Sequence, residues 1–156
     1  MRRSDREVTD AAKISDILRR CTCCRIGFND KGTAYIVPLS FGYEKRDDIY
    51  TLYLHGAKEG RKVDLIRQSP CVGFELDTGY TLRPADLACG YSAGFQSIVG
   101  TGVVHTVTGT EEKKHGLSRI MAHYAQQPDW QFEDKMLDAV AVFRLIVTTL
   151  SCKEHL

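Results

Sequence analysis

The turn Asn29-Asp30-Lys31-Gly32 limits what this chain can fold into more than any other feature. It is made of residues that tolerate left-handed backbone, and it separates two runs of strand-forming side chains, residues 21–28 and 33–43. So short a connection carries no crossover, and the two strands must therefore run antiparallel. A second turn at residues 45–48 leads to a third strand over residues 49–54. Pro38 interrupts the second strand's ladder. This predicts a sheet edge, a bulge, or a place where a ligand takes the exposed backbone groups.

The rest of the chain alternates helices with longer strands. Asp10 caps a predicted helix over residues 11–20, with Ile14, Ile17 and Leu18 on one side. A basic helix follows over residues 58–68, ended by Pro70, and then a strand over residues 71–77. Residues 78–89, with Gly79 and Pro84, read as an irregular connection able to act as a lid. A long strand lies within residues 93–107. Its Gly100 and Gly102 either admit a flat ring or a neighbouring chain, or merely allow a bend or bulge. Thr110 is the expected cap of a helix over residues 111–124, whose Leu117, Ile120, Met121 and Tyr124 recur at helical spacing. Gln127-Pro128-Asp129 closes it. A short helix over residues 132–137 and a strand over residues 139–150 complete the order.

Hairpins followed by longer connections predict a mainly β fold: an antiparallel barrel with peripheral helices, in one domain over residues 1–156. No GxGxxG follows the first strand and no GxxxxGK[ST] occurs, which argues against a dinucleotide-binding doubly wound sheet and a P-loop. The 21 basic and 20 acidic side chains nearly cancel, so bulk charge gives no case for nucleic-acid binding. The charged opening MRRSDREVTD has no apolar segment behind it, and the apolar run at residues 139–146 is broken by Arg144. These features predict a cytoplasmic protein with no membrane partner. Cys21, Cys23 and Cys24 lack paired zinc-ligand spacing and, with Cys71, Cys89 and Cys152, read as structural thiols; no metal site is expected. On a strand, Cys21 and Cys23 would share one face.

The segment YLHGAKEGRKVDLIRQ, residues 53–68, carries the chemistry. A strand ends at His55, Gly56 follows, and a helix opens among Lys58, Arg61 and Lys62. A helix start flanked by cations is a place to hold a phosphate. The alternative is a short turn followed by an ordinary solvated helix face.

Together, CRIGF, TAYIVPLSFGYE, IYTLYLHGAKEGRKVDLIRQSPCVGFE and YSAGFQSIVGTGVVH resemble the 5-nitroimidazole-resistance type of the pyridoxamine 5'-phosphate oxidase-like, FMN-binding split-barrel family. The likeness covers nearly the whole chain. It implies an antiparallel split β-barrel, a homodimer, and FMN held near the subunit interface, with FAD or haem as alternatives. It also implies that Val37, Pro38, Leu39 and Ser40 run beside the flavin, their backbone reaching its pyrimidine edge. His55 would touch the phosphate side or the reactive face and serve catalysis. Lys62 would bind the phosphate, with Arg61 adding a bidentate contact. Gln96, Ser97, Ile98 and Val99 would line the cofactor. His105 and His115 have no implied role, and His123 and Tyr124 would lie on a helix available to a dimer interface.

The resemblance implies a flavin-dependent oxidoreductase that reduces nitroimidazole or another small nitroaromatic to an amine. The alternatives are a flavin-binding storage or redox-sensing protein without turnover, and a haem-binding or haem-processing protein. The substrate-phosphate clamp of a full pyridoxamine-phosphate oxidase has no counterpart in this shorter chain, so vitamin B6 oxidation is not implied.

Overall fold

The computed structural model describes residues 4–125, 127 and 129–156. A 3-10 turn, Ser4–Arg6, leads into a short strand β1 (Glu7–Val8) and helix α1 (Ala11–Arg20). Asp10 caps α1 as expected, its carboxylate accepting the Lys13 N–H at 2.7 Å. The strands that follow are β2 (Cys24–Asp30), β3 (Thr33–Leu39), β4 (Phe41–Arg46) and β5 (Ile49–Gly56). Helix α2 (Arg61–Gln68), strand β6 (Cys71–Arg83), a 3-10 turn (Ala88–Gly90) and strand β7 (Ser92–Val107) come next. Helices α3 (Thr110–Tyr124) and α4 (Asp134–Ala139) precede the last strand, β8 (Ala141–His155).

Every strand pair is antiparallel, in the order β3-β2-β6-β7-β8-β5-β4, with β1 paired to β8. The hairpin turns form where the sequence predicts them. Lys31 and Gly32 hold φ of 53° and 87°, and Asp47 and Asp48 hold 47° and 65°, the paired positive values that tight hairpins require. The alternating residues of β2, β5, β6, β7 and β8 fill one core, with Phe41, Leu52, Leu54, Leu76, Ile98, Phe143 and Leu145 fully enclosed.

The predicted second strand is two strands. β3 pairs with β2 at one edge of the sheet, and β4 pairs with β5 at the other. Only Ser40 lies between them. The edges of the sheet are thus consecutive in the chain, which makes the fold a split barrel. Pro38 sits on the edge strand β3, where its missing N–H costs no ladder bond. The Tyr124 hydroxyl fixes this corner, accepting the Phe41 N–H at 3.0 Å and donating to the Thr22 carbonyl at 2.9 Å. His123 stacks on Phe41 at 4.3 Å and donates from Nε2 to the Cys21 carbonyl. Both side chains therefore bond within their own chain.

Other expectations change. Residues 78–83 are not an irregular lid: they extend β6, Thr78 pairing with Gln96 and, after a register shift across Gly79 and Tyr80, Thr81, Leu82 and Arg83 pairing with Gly94, Ala93 and Ser92. Helix α2 starts at Arg61, leaving Lys58 in the connection. Thr110 is the first residue of α3, and Gly109, with no side-chain cap bond, is its cap. Pro128, expected to close α3, lies outside the described residues. The short helix begins at Asp134, and the last strand runs to His155.

Cys21 caps the C-terminus of α1 instead of sharing a strand face with Cys23. Burial raises its thiol to about 12 and that of Cys152 to about 11, which leaves both protonated and inert. At Gly100 an added Cβ would overlap Phe74, and at Gly102 Leu145 and the backbone of β8. These two glycines serve close packing inside the barrel, with a register shift between Thr101 and Gly102.

Gly42 sets how closely α3 approaches the sheet, because a Cβ there would strike the backbone at Arg119 and Ile120. Gly42→Ala is expected to cost about 1–3 kcal/mol by forcing α3 outward. Gly27→Ala, whose Cβ would meet the Gly73 carbonyl at an ordinary 3.8 Å, is the neutral control. Urea midpoints of the two variants check this.

Candidate functional site

β5 delivers its side chains alternately to the barrel core and to the opposite face, where α3 covers Tyr53. Tyr50, Leu52 and Leu54 go inward, and His55 emerges at the strand end. Phe41 pairs with Leu54, so Ser40 arrives beside His55 as the chain turns the corner from β3 into β4. Gly56 then releases the chain toward Gly60, whose φ of 116° only glycine adopts freely and which starts α2.

Lys62 lies one residue inside α2 and folds back over this junction. Its ammonium sits 5.3 Å from the Phe143 ring centroid, against the bare Cα of Gly56, where a Cβ would overlap it. It makes no hydrogen bond or ion pair among the described residues. Burial lowers its pKa, the mark of a cation that has lost water and gained no acceptor. Burial also lowers His55, and the Lys62 charge lowers it further, so its imidazole is neutral at neutral pH. A half-buried, unpaired ammonium beside an imidazole and a side-chain-free strand end fits a phosphate monoester: the anion would supply the missing acceptor.

Arg61 is committed elsewhere. Its guanidinium pairs with Asp30 at the tip of β2, with Nε donating at 2.7 Å, and lies 4.4 Å from the Tyr35 ring centroid. It braces α2 against the β2–β3 hairpin. Binding a phosphate would require it to leave Asp30.

On β3, Val37 and Leu39 are half-buried against the core, while Pro38 and Ser40 are exposed. Gln96, Ser97, Ile98 and Val99 belong to a different part of the surface. The Gln96 amide is buried and donates to Glu154 at 2.9 Å, and the Ile98 side chain is wholly in the core. Ser97 and Val99 face outward. The register aligns Pro38, Arg25, Glu75 and Val99 in one row. Val99 is thus separated from Pro38 by two intervening strands, about 14 Å at the usual strand spacing. One subunit brings together Ser40, His55 and Lys62, but not the residues 96–99.

His115 has a role that sequence reasoning missed. Its Nε2 lies 3.1 Å from a carboxylate oxygen of Glu44, which also accepts the Tyr53 hydroxyl at 2.8 Å. This joins α3 to β4 and β5. The partners are separated by 71 residues, so no local signal reveals the bond. Among the described residues no helix is long and apolar enough to cross a membrane.

Fold and site together define a split barrel with a half-buried Lys62 ammonium, unpaired among the described residues, at the end of β5. The family model for pyridoxamine 5'-phosphate oxidase matches residues 10–154, and the chain belongs to that family. A Bacteroides thetaiotaomicron protein, provisionally assigned to 5-nitroimidazole antibiotic resistance, is 31% identical. Its match covers 95% of this chain and 86% of its own, with a TM-score of 0.81. The flavocytochrome Anf3 from Azotobacter vinelandii is 19% identical over 100% of this chain and 72% of its own, at a TM-score of 0.82. The FAD and heme binding protein from Mycobacterium smegmatis is 14% identical over 96% and 73%, at 0.74. At these lower identities the two share the fold. No curated protein matches the sequence significantly.

Replacing Lys62 by Gln is expected to raise the His55 pKa only part of the way to its ordinary value, because burial remains the larger cause. Titration of the imidazole resonances by NMR checks this. An unchanged His55 would contradict the coupling.

Proposed function

We propose that this protein is a flavin-dependent oxidoreductase that holds FMN by its phosphate at Lys62 and reduces small nitroaromatic compounds, nitroimidazoles among them, to amines. The observation that carries the reading is the Lys62 ammonium: half-buried, without an acceptor among the described residues, set against Gly56, and close enough for its charge to act on His55. The 31% identical relative supports the substrate class. The bound flavin would supply the electron transfer.

The chain's own residues supply binding and proton control. Lys62 neutralises the phosphate. The exposed backbone along Val37, Pro38, Leu39 and Ser40, on an edge strand with free ladder positions, offers hydrogen bonds to the ring's polar edge. Reducing a nitro group to an amine takes six electrons, drawn from a reduced nicotinamide through the flavin, and six protons, with both oxygens leaving as water. His55 is placed to orient the substrate or pass it a proton. In the resting state its imidazole is neutral. An anion held by Lys62 offsets the ammonium's effect and makes the imidazolium easier to form. A larger fraction of His55 is thus protonated, and able to pass on a proton, once the cofactor is in place.

Residues 96–99 would serve the same cofactor from a second copy of the chain. The outer face that carries Ser97 and Val99 also carries exposed Ile36 and the paired glycines Gly27 and Gly73. Such a flat, partly apolar surface suits a homodimer with the flavin near the interface.

Lys62→Ala is expected to weaken FMN binding by roughly tenfold to a hundredfold, the range of one charge-assisted hydrogen bond. Arg61→Ala should do much less, because Arg61 is already paired with Asp30. Equal affinity of wild type and Lys62→Ala would remove Lys62 from the phosphate site. Turnover of a nitroaromatic with reduced nicotinamide separates an enzyme from a flavin store. His55→Asn should lower kcat while leaving FMN affinity within about threefold.

A further inference from the structure

A second groove opens beside the Lys62 corner, with Phe143 common to both. It has a volume of about 450 Å³ and is formed by α2, the end of β7, the start of α3 and the start of β8. Val63, Val107, Ala141 and Phe143 make its floor. Lys58, Arg67 and Lys113 stand around it, with Thr106 and Thr108 between them, and no carboxylate lines it.

The whole protein carries a net charge of only +1. The groove on the far side of α3 mixes its cations with Glu44, Asp47 and Glu112. Here three cations converge without an acid. Lys58 makes no hydrogen bond or ion pair among the described residues. Arg67 reaches only Asp64, at 3.3 Å and with both side chains largely in water, a pair of little strength. Lys113 donates to the carbonyls of Leu137 at 3.2 Å and Val140 at 3.5 Å, which fixes its ammonium at the rim.

Three convergent cations over an apolar floor favour a flat organic group carrying more than one negative charge. We infer that this groove binds a nucleoside diphosphate, with the phosphates among Lys58, Arg67 and Lys113 and the base on the floor. Two sources share this chemistry: the nucleotide half of a dinucleotide flavin, or the diphosphate portion of a nicotinamide electron donor. The groove stands on its own geometry, and only its service to electron transfer rests on the flavin reading above.

The probe is ADP, titrated calorimetrically into the full-length protein, with inorganic phosphate as the control anion. Saturable ADP binding at least tenfold tighter than phosphate is expected. Arg67→Glu and Thr108→Glu, both at exposed positions, should each weaken ADP at least tenfold. FMN affinity, measured on the same samples, should stay within about twofold. FAD binding much tighter than FMN, with the advantage lost in Arg67→Glu, would identify the flavin source. Equal FAD and FMN affinities, with ADP displaced by reduced nicotinamide dinucleotide, would identify the donor. ADP binding that is no tighter than phosphate, or that survives both substitutions, overturns the assignment. ADP binding without FMN binding would preserve the groove and defeat the flavin reading instead.

Discussion

The molecule depends on a covalent constraint at Ser40. β3 and β4 are the two outer strands of the sheet, yet one residue separates them in the chain. The sheet has to roll until its edges nearly meet, and the backbone must change partners within a single residue. The Tyr124 hydroxyl holds that change in place by bridging the Phe41 N–H and the Thr22 carbonyl. Gly42, with no room for a Cβ, lets α3 lie close enough for that bridge to form. A closed barrel would satisfy every edge group by pairing. This one leaves the β3 edge open beside the end of β5, so polar backbone groups and His55 arrive at one corner.

The electrostatics of that corner are incomplete in the chain alone. The two arginines of α2 have partners: Arg61 has Asp30 and Arg67 has Asp64. Lys62 has given up water over Phe143 without gaining an acceptor. Holding an ammonium in that state costs stability, and the cost is recovered when an anion arrives. His55 is depressed by the same charge, so binding and protonation are coupled through a single side chain. The neighbouring groove repeats the pattern with Lys58, whereas Arg67 and Lys113 are tied only to Asp64 and to carbonyls.

Local chemistry was the legible part of the sequence. The two hairpin turns are written in Lys31-Gly32 and Asp47-Asp48, which take the positive φ values. The Asp10 cap and the Pro70 stop are equally local. The break at Ser40 left no mark, because a change of hydrogen-bond partner needs no change of composition. Residues 78–83 read as irregular because of Gly79, Pro84 and their mixed polarity, while the pairing that orders them comes from Gln96 and residues 92–94. In the site, His55 and Lys62 were legible from a strand ending at a basic helix. The commitment of Arg61 to Asp30 was not, since it spans 31 residues. The groove was hidden for the same reason: Lys113 comes from α3, far along the chain from Lys58 and Arg67. Residues 96–99 were placed at the cofactor by resemblance alone, and within one chain they lie apart from Lys62.

The central claim is that the Lys62 corner holds a flavin phosphate. The most direct test is the visible absorption spectrum of freshly purified protein, followed by release and identification of the chromophore. The protein is expected to show the two-band spectrum of oxidised flavin, with FMN or FAD recovered on denaturation and the colour returning when it is added back. A Soret band, or a colourless protein that takes up neither flavin, would contradict it.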